Sequence, residues 1–192
     1  MKIGVLALQG AIQEHLNMVA KAGAEAIPIK KVSQLDEIDG IIIPGGESTT
    51  IARLMRQYDF TDALSEFSNQ GKPMLGTCAG LIVLADEIVG EDAHLRLMNM
   101  KVIRNAFGRQ KDSFEADINI ADLDSPFTAV FIRAPIIESY GSEVDVLSTY
   151  QGQVVAARQN HIMATSFHPE LTDDARIHGY FADMVRESTL VK

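Results

Sequence analysis

The first half of the chain alternates between short, continuous apolar runs and segments with helical spacing. The apolar runs are KIGVLAL (2–8), GIIIPGG (40–46) and PMLGT (73–77). Runs of this kind are typical of strands that are buried on both faces. The intervening segments carry apolar residues at helical intervals over 12–20, 49–57 and 60–69. Strands that alternate with helices predict an α/β fold with a mostly parallel central sheet flanked by helices.

The rest of the chain adds further elements to this pattern. Residues 24–30 are predicted to form a strand that Pro28 makes suitable for an edge, and residues 79–88 are predicted to form the helix after the third apolar run. Residues 100–158 hold several short β-rich pieces, which we interpret as antiparallel additions to the core sheet. The segment IMATSFHPE gives a last strand, and a closing helix follows within 173–188, in which Ile177, Phe181, Met184 and Val185 share a face.

Composition limits the classes of protein to which the chain can belong. Its 192 residues, without repeats or a Pro/Gly/Ser-rich linker, predict one domain over 1–192. The net charge of −9 disfavours nucleic acid and anionic membranes as partners. No apolar stretch reaches the length of a membrane span, and the first residues lack a signal-peptide cleavage site. A single cysteine cannot form an internal disulfide, so we expect a cytoplasmic protein.

That single cysteine, Cys78, occupies a G-x-C-x-G pattern between a predicted strand and a predicted helix. A sharp strand-to-helix turn would project its side chain, and the flanking glycines leave room for such a turn. The start of the following helix would offer unpaired N–H groups that favour a thiolate, and the N–H of Ala79 could face an oxyanion. A free cysteine is also often a small buried hydrophobe. The pattern alone leaves both interpretations open.

A cysteine nucleophile needs a base and a group that orients the base. His168 lies in SFHPE, just past an apolar strand, with Glu170 two residues later. Extended backbone would place both side chains on one side, so that Glu170 could fix the tautomer of His168. A solvated H-P-E loop is the alternative interpretation of this segment alone.

The other histidines give weaker signals. His15, on the first predicted helix, and His94 and His178, in polar surroundings, are expected on the surface. His161 falls at a predicted turn and is expected to be structural or exposed. No clustering of metal ligands is apparent in the sequence.

The segment IIIPGGESTT (41–50) places a glycine pair directly after a buried strand. In an open α/β sheet, ligands bind at the carboxyl ends of the strands, so this loop and the Cys78 turn would face one crevice. Gly46 is our candidate for a second oxyanion donor. An ordinary turn, with Ser48 or Thr49 capping the next helix, is compatible with that role.

Together these motifs resemble the class I (triad) glutamine amidotransferases, which have a flavodoxin-like fold. Within that class, longer blocks are similar to the glutaminase subunits of pyridoxal 5′-phosphate synthase. These blocks are LALQGAIQEH, PGGESTT, GTCAGLIVLA, RNAFGRQKDSFEA, FIRAP and SFHPELT.

The resemblance implies a glutaminase that releases ammonia from L-glutamine for vitamin B6 biosynthesis. Its partner would be a separate (β/α)8 barrel synthase subunit in a hetero-oligomer, and the glutaminase itself would need no cofactor and no metal. The implied triad is Cys78 as nucleophile, His168 as general base and acid, and Glu170 as orienting carboxylate. The implied glutamine contacts are Gly46, Glu47, Ser48, Arg104, Ile132 and Arg133.

The chemistry of glutamine fits these positions. Arg104 and Arg133 are candidates for its carboxylate, and Glu47 is a candidate for its ammonium group. The resemblance also implies weak activity before docking, so we expect the Gly45–Gly46 peptide to reorient on docking. Three alternatives remain open at this point: a glutaminase for another synthase, a redox sensor on the same fold, and a cysteine peptidase.

Overall fold

The structure, a computed structural model, describes residues 1–107 and 112–190. This part of the chain forms twelve strands, five α-helices and two 3₁₀-helices. The strands are β1 Lys2–Leu6, β2 Glu25–Ile29, β3 Gly40–Ile43, β4 Met74–Thr77, β5 Ala85–Ile88, β6 Met98–Ile103, β7 Ser113–Ile118, β8 Phe127–Ile132, β9 Ile136–Tyr140, β10 Asp145–Tyr150, β11 Gln153–Gln159 and β12 Ile162–Thr165. The α-helices are α1 Ile12–Lys21, α2 Ser48–Gln57, α3 Phe60–Asn69, α4 Ala79–Leu84 and α5 Arg176–Leu190, and the 3₁₀-helices are Val32–Glu37 and Pro169–Leu171. The block RNAFGRQKDSFEA includes residues 108–111, which lie outside the described residues.

A ten-stranded sheet organises the described part of the chain. Its order is β2-β1-β3-β4-β12-β11-β9-β6-β5, and β10 pairs with β11. The five strands from β2 to β12 are parallel neighbours, so their carboxyl ends lie at one edge. Strands β11 and β9 then run antiparallel to their neighbours. The predicted α/β fold, a mostly parallel central sheet with antiparallel additions, is confirmed.

Apolar cores lie on both faces of this sheet. In β3, Ile41 and Ile43 join the core beneath α2, α3 and α4. Ile42, which points the other way, joins the core beneath α1 and α5. A central strand that serves two cores must be apolar at every position, which explains the continuous run GIII.

Two predictions about β structure have different outcomes. Pro28 lies in β2, which is the edge strand that its missing N–H suggested. The interpretation of residues 113–132 as additions to the core sheet is wrong, because β7 and β8 form a separate two-stranded sheet. In β8, Phe127, Ala129 and Phe131 are buried, so the hairpin packs on a face of the main sheet rather than extending its edge.

The predicted helix over 79–88 is also wrong in its second half. Helix α4 ends at Leu84, where Ala85 adopts an extended conformation, and β5 follows at once. Strand β5 pairs in parallel with β6, where Ala85 faces Met98 and Ile88 faces Val102. Backbone pairing at the sheet edge and burial of Ile88 outweigh the helical spacing of this short apolar run.

The closing helix α5 buries the face that its spacing predicted, which comprises Ile177, Phe181, Met184 and Val185. It packs beside α1 on the second core. Among the helices of residues 1–107 and 112–190, none is long and apolar enough to cross a membrane.

Helix α4 sits unusually close to the neighbouring strand β3. A Cβ atom built on Gly80 would overlap the carbonyl oxygen of Ile43, at a separation that real Cβ atoms do not reach. The neighbouring atom is backbone and cannot rotate away. Gly80 therefore sets the distance between α4 and β3.

Two glycine-to-alanine substitutions in helices should have opposite effects on stability. Gly80→Ala should lower the free energy of unfolding by about 1–3 kcal/mol, because the new methyl group overpacks against β3. Gly179→Ala in α5 should raise it by about 0.5–1 kcal/mol, because the methyl group meets no atom within 4 Å and alanine favours the helix. Urea unfolding of both variants measures these changes. Equal changes in the free energy of unfolding would contradict the close packing of α4 against β3.

Candidate active site

The parallel strands place several loops around one cleft. The loops after β1, β3, β4 and β12 leave the same edge of the sheet and meet there. The cleft has a volume of about 410 Å³. Its lining residues are Gln9, Gly10, Ala11, Gly45, Gly46, Glu47, Ser48, Cys78, Ala79, Ile82, Arg104, Asn105, Ile132, Arg133, His168 and Leu171. Every predicted site residue except Glu170 is in this set, and Glu170 lies directly behind His168.

Cys78 occupies a strained turn between β4 and α4. Its backbone has φ 51° and ψ −103°, a positive-φ conformation that non-glycine residues rarely adopt. Its N–H donates to the carbonyl of Thr165 at 2.8 Å, which extends the pairing of β4 with β12 beyond the end of β4. The thiol lines the cleft, 3.8 Å from the carbonyl oxygen of Ile132. The turn thus presents the sulfur at the helix start, where Ala79 has an N–H without an intrahelical acceptor.

His168 joins the thiol to a buried carboxylate. Its backbone N–H donates to the carbonyl of Val130 in β8 at 2.8 Å, which anchors the residue. Its Nδ1 lies 2.6 Å from Glu170 Oε1, and the ring lines the same cleft as the Cys78 thiol. Burial lowers the pKa of His168, but the hydrogen bonds and charges of Cys78 and Glu170 outweigh burial and raise the pKa to about 10. The raised pKa favours a protonated imidazole at His168, between Cys78 and Glu170.

Glu170 reaches His168 by a different backbone path from the one we predicted. The extended geometry expected for His168-Pro169-Glu170 is wrong, because Pro169–Leu171 is a 3₁₀-helix. Proline at the first position of this helix suits its fixed φ angle. The tight turn folds the Glu170 carboxylate back beneath the imidazole, where the side chain has no solvent exposure.

The Gly45–Gly46 loop packs directly against His168. A Cβ atom on Gly45 would lie 2.5 Å from Cε1 of His168, so only glycine fits there without displacing the imidazole. The Gly45 carbonyl accepts a hydrogen bond from the N–H of Ala11 at 3.0 Å. In a trans peptide the Gly46 N–H points to the opposite side, away from Ala11.

Glu47 is the N-cap of α2, so the expectation that Ser48 or Thr49 caps this helix is wrong. Its carboxylate accepts from the backbone N–H groups of Thr49 and Thr50 and from both hydroxyl groups, at 2.6–3.1 Å. The side-chain hydrogen bonds of Thr49 and Thr50 lower the pKa of Glu47 to about 2. Arg104 Nη2 lies 3.3 Å from the same carboxylate. Glu47 lines the cleft, but its carboxylate has these contacts before any ligand binds.

The remaining predicted binding residues surround the mouth of the cleft. Arg104 is held by Glu91, whose two carboxylate oxygens lie 3.2 Å from Nη1. Arg133 is exposed and has φ 42°, and its N–H donates to the Asp112 carbonyl. Ser48 is buried, and within the described residues its hydroxyl has no hydrogen-bond partner. The site therefore offers two cations and one unused hydroxyl.

Two histidines that we expected on the surface are buried behind the site. His15 is fully buried in α1, and His178 in α5 is 1% exposed. His15 Nδ1 lies 2.9 Å from His178 Nε2, and His15 Nε2 lies 3.0 Å from Thr77 Oγ1. Burial lowers the pKa of His15 well below 6.5 and that of His178 to about 4. Sequence spacing did not reveal them, because the packing of α1 against α5 brings them together.

The other histidines lie outside this cluster. His161 is partly buried and lies 3.1 Å from the Ser68 hydroxyl, as expected for a structural residue. His94 is partly buried rather than exposed, and burial lowers its pKa. Across residues 1–107 and 112–190, no group of three or more His, Cys, Asp or Glu side chains is arranged to hold a metal ion.

Gln9 is a site residue that motif reasoning did not single out. Its side-chain carbonyl accepts the Glu47 N–H at 2.9 Å, which ties the loop after β1 to the loop after β3. Its sequence signal was only its position at the end of an apolar run.

Comparison with known proteins places the chain among close relatives. Residues 5–187 match the SNO glutamine amidotransferase family. The chain is 61% identical to a pyridoxal 5′-phosphate synthase subunit PdxT from Niallia circulans, over 98% of this chain and 100% of the relative. It is 57% identical to a protein of the same name from Geobacillus sp. (strain WCH70), over 98% of each.

Solved structures agree with this relationship. A crystal structure of a glutamine amidotransferase superimposes with a TM-score of 0.92 and 44% identity, over 96% of this chain and 98% of that chain. A chain in the structure of PurLQS from Thermotoga maritima shares the fold, with a TM-score of 0.66 and 16% identity over 98% and 96% of the two chains. By sequence and by structure, the chain belongs to the SNO glutamine amidotransferase family.

Proposed function

We propose that this chain is the glutaminase subunit of a pyridoxal 5′-phosphate synthase. It hydrolyses L-glutamine to L-glutamate and ammonia and supplies the ammonia to a separate barrel synthase subunit. The observation that carries the proposal is the series Cys78–His168–Glu170 at the end of a cleft that holds two arginines. Its relatives named PdxT, which align over nearly the whole chain, support the same assignment.

The first half of the reaction is acyl transfer to Cys78. The Cys78 thiolate attacks the side-chain amide carbon of glutamine, and the amide oxygen becomes an oxyanion. The N–H groups of Ala79 and Gly46 stabilise that oxyanion. The tetrahedral intermediate collapses, and the His168 imidazolium gives its proton to the departing nitrogen. Ammonia leaves, and a thioester remains on Cys78.

The second half hydrolyses this thioester. His168, now neutral, takes a proton from a water molecule as the water attacks the thioester carbonyl. The second tetrahedral intermediate expels the Cys78 thiolate and releases glutamate. Glu170 stays ionised throughout and orients the imidazole through the 2.6 Å contact with Nδ1.

Substrate recognition uses the mouth of the cleft. Arg104 and Arg133 bind the glutamine carboxylate through charge-assisted hydrogen bonds. The Ser48 hydroxyl and the Ile132 carbonyl complete the contacts to polar groups of glutamine. Gly46 and Glu47 contribute mainly through their backbone, because the Glu47 carboxylate already caps α2 and contacts Arg104.

The partner and the cellular setting are part of the same proposal. We assign residues 1–192 to one glutaminase domain that docks on the synthase subunit in a hetero-oligomer. A reactive single cysteine suits a reducing compartment, so we place the complex in the cytoplasm.

Substitution of the nucleophile should abolish glutamate release. Cys78→Ala removes the attacking sulfur, and Cys78→Ser replaces it with an oxygen that the same environment activates poorly. Glutamate formation by the complex should drop to background in both, with thermal unfolding used to show that the variants are folded. Substantial turnover by a folded Cys78→Ala variant would contradict the proposed nucleophile.

The pH dependence should show the raised pKa of His168. The pKa of His168 lies near 10 in the folded protein, against an ordinary 6.5. The stabilisation of the folded site by the His168 imidazolium is therefore complete below about pH 6.5 and is lost as the pH rises through about 10. Glutamine turnover should fall along that alkaline limb, and Glu170→Gln should move the limb to lower pH. Profiles of kcat/KM measure this, with Glu66→Gln, a carboxylate on α3 away from the cleft, as control. An alkaline limb unmoved in Glu170→Gln would be inconsistent with the assigned role.

Docking on the synthase should accelerate hydrolysis. Reorientation of the Gly45–Gly46 peptide would break the Ala11–Gly45 hydrogen bond, so free protein should populate the active arrangement poorly. Glutaminase assays with and without the barrel subunit measure the difference, and heat-treated subunit is the control. Equal rates would exclude gating by the partner.

A further inference from the structure

A second row of buried polar groups lies behind the triad. Glu170 Oε1 faces His168, and its other oxygen, Oε2, lies 3.4 Å from His15 Nε2. Among the described residues Oε2 has no hydrogen-bond partner. A buried carboxylate oxygen without a hydrogen-bond donor raises the free energy of the folded protein. An imidazole nitrogen close to that oxygen therefore stabilises the Glu170 carboxylate.

The hydrogen-bond pattern selects one tautomer for each of the two histidines. If His15 carried its proton on Nδ1, it would donate to His178 and turn a lone pair of Nε2 toward the Glu170 carboxylate. His178 would then hold its own proton on Nδ1, which has no partner among the described residues. The opposite arrangement leaves His178 Nδ1 as an unpaired acceptor, which costs less than an unpaired donor. It also lets the Nε2–H of His15 donate to Thr77 Oγ1, while Glu170 Oε2 lies 3.4 Å from the same nitrogen.

On this geometry we propose that His15, oriented by His178, is a positioning residue that holds the Glu170 carboxylate directed at His168. The proposal rests on the proposed glutaminase function. The order of groups is His178 Nε2–H to His15 Nδ1, His15 Nε2–H toward Glu170, and Glu170 to His168. His15 itself touches neither the cleft nor the thiol, so it acts only through Glu170.

The neutral state of the two histidines is important for this role. Burial and the neighbouring charges of His178 and His168 lower the pKa of His15, and burial lowers that of His178. A neutral imidazole stabilises the carboxylate through its N–H dipole alone. A second imidazolium would compete with His168 for the charge of Glu170 and would weaken the thiolate–imidazolium pair. Helices α1 and α5 thus supply the donor without supplying a charge.

The test compares three substitutions of His15. His15→Gln can place an amide N–H near the position of Nε2, whereas His15→Asn is one carbon shorter and reaches no farther than Nδ1. His15→Leu removes the donor. The control is His161→Leu, which removes a partly buried histidine with one side-chain hydrogen bond. His161 lies just before β12, at the end of that strand opposite to the cleft.

Two measurements separate positioning from folding. The first is the rate of Cys78 alkylation by iodoacetamide as a function of pH in the free protein, which follows the thiolate population. The second is kcat and KM for glutamine in the complex. His15→Leu and His15→Asn should lower alkylation at neutral pH and kcat by about tenfold, with KM changed less than about twofold. His15→Gln and His161→Leu should stay within about threefold of wild type.

Each outcome either supports or overturns the positioning role of His15. Equal behaviour of the Gln and Asn variants, or wild-type alkylation in His15→Leu, would overturn the positioning role. If His15→Leu does not fold, the comparison of Gln with Asn still decides. If the wild-type complex releases no glutamate, the proposed function fails, whereas alkylation of the free protein still reports on His15.

Discussion

The parallel ladder between β4 and β12 is the interaction on which the site depends. It pairs Met74 through Thr77 with Ile162 through Thr165, and the Cys78 N–H extends it by donating to Thr165. The hydrogen bonds of the ladder fix the register of the two strands, so their carboxyl ends lie side by side at one edge of the sheet. Cys78 directly follows the carboxyl end of β4, and His168 follows the carboxyl end of β12 after a short turn. Two residues far apart in sequence are thereby held in one cleft by backbone pairing rather than by their own attraction.

The burial of polar side chains behind this ladder is better explained by a role in the reaction than by a contribution to folding stability. Glu170, His15 and His178 are buried where apolar side chains of similar volume would often be at least as stable. Burial raises the free energy of an ionised carboxylate, and the imidazolium of His168 offsets that cost. Strongly perturbed pKa values beside a cleft are typical of functional sites. The destabilising burial of Glu170 and the high pKa of His168 are thus two consequences of one arrangement.

Sequence patterns predicted the part of the fold that depends on local periodicity. Central strands such as GIII, the edge position of Pro28 and the buried face of α5 follow from spacing and composition. The patterns failed where tertiary pairing decides, as at Ala85–Ile88, which joins β6 as a strand. Burial of His15 and His178 arises from the packing of two helices at opposite ends of the sequence, which no local signal records. The glycine motifs located the elbow, but the role of Glu47 as a helix cap required the hydrogen-bond geometry.

The charges at the mouth of the cleft restrict which ligands can bind well. Arg104 is contacted by Glu47 and Glu91, so a ligand carboxylate meets a guanidinium whose charge is already largely balanced. A bare anion gains little there, because it must compete with two carboxylates for the same donors. A ligand that also fills the cleft up to Cys78 gains additional contacts with the backbone of Gly46 and the hydroxyl of Ser48. Under the proposed function, recognition therefore depends on the distance between a carboxylate and an amide in one molecule, which is the property that distinguishes glutamine from simple anions.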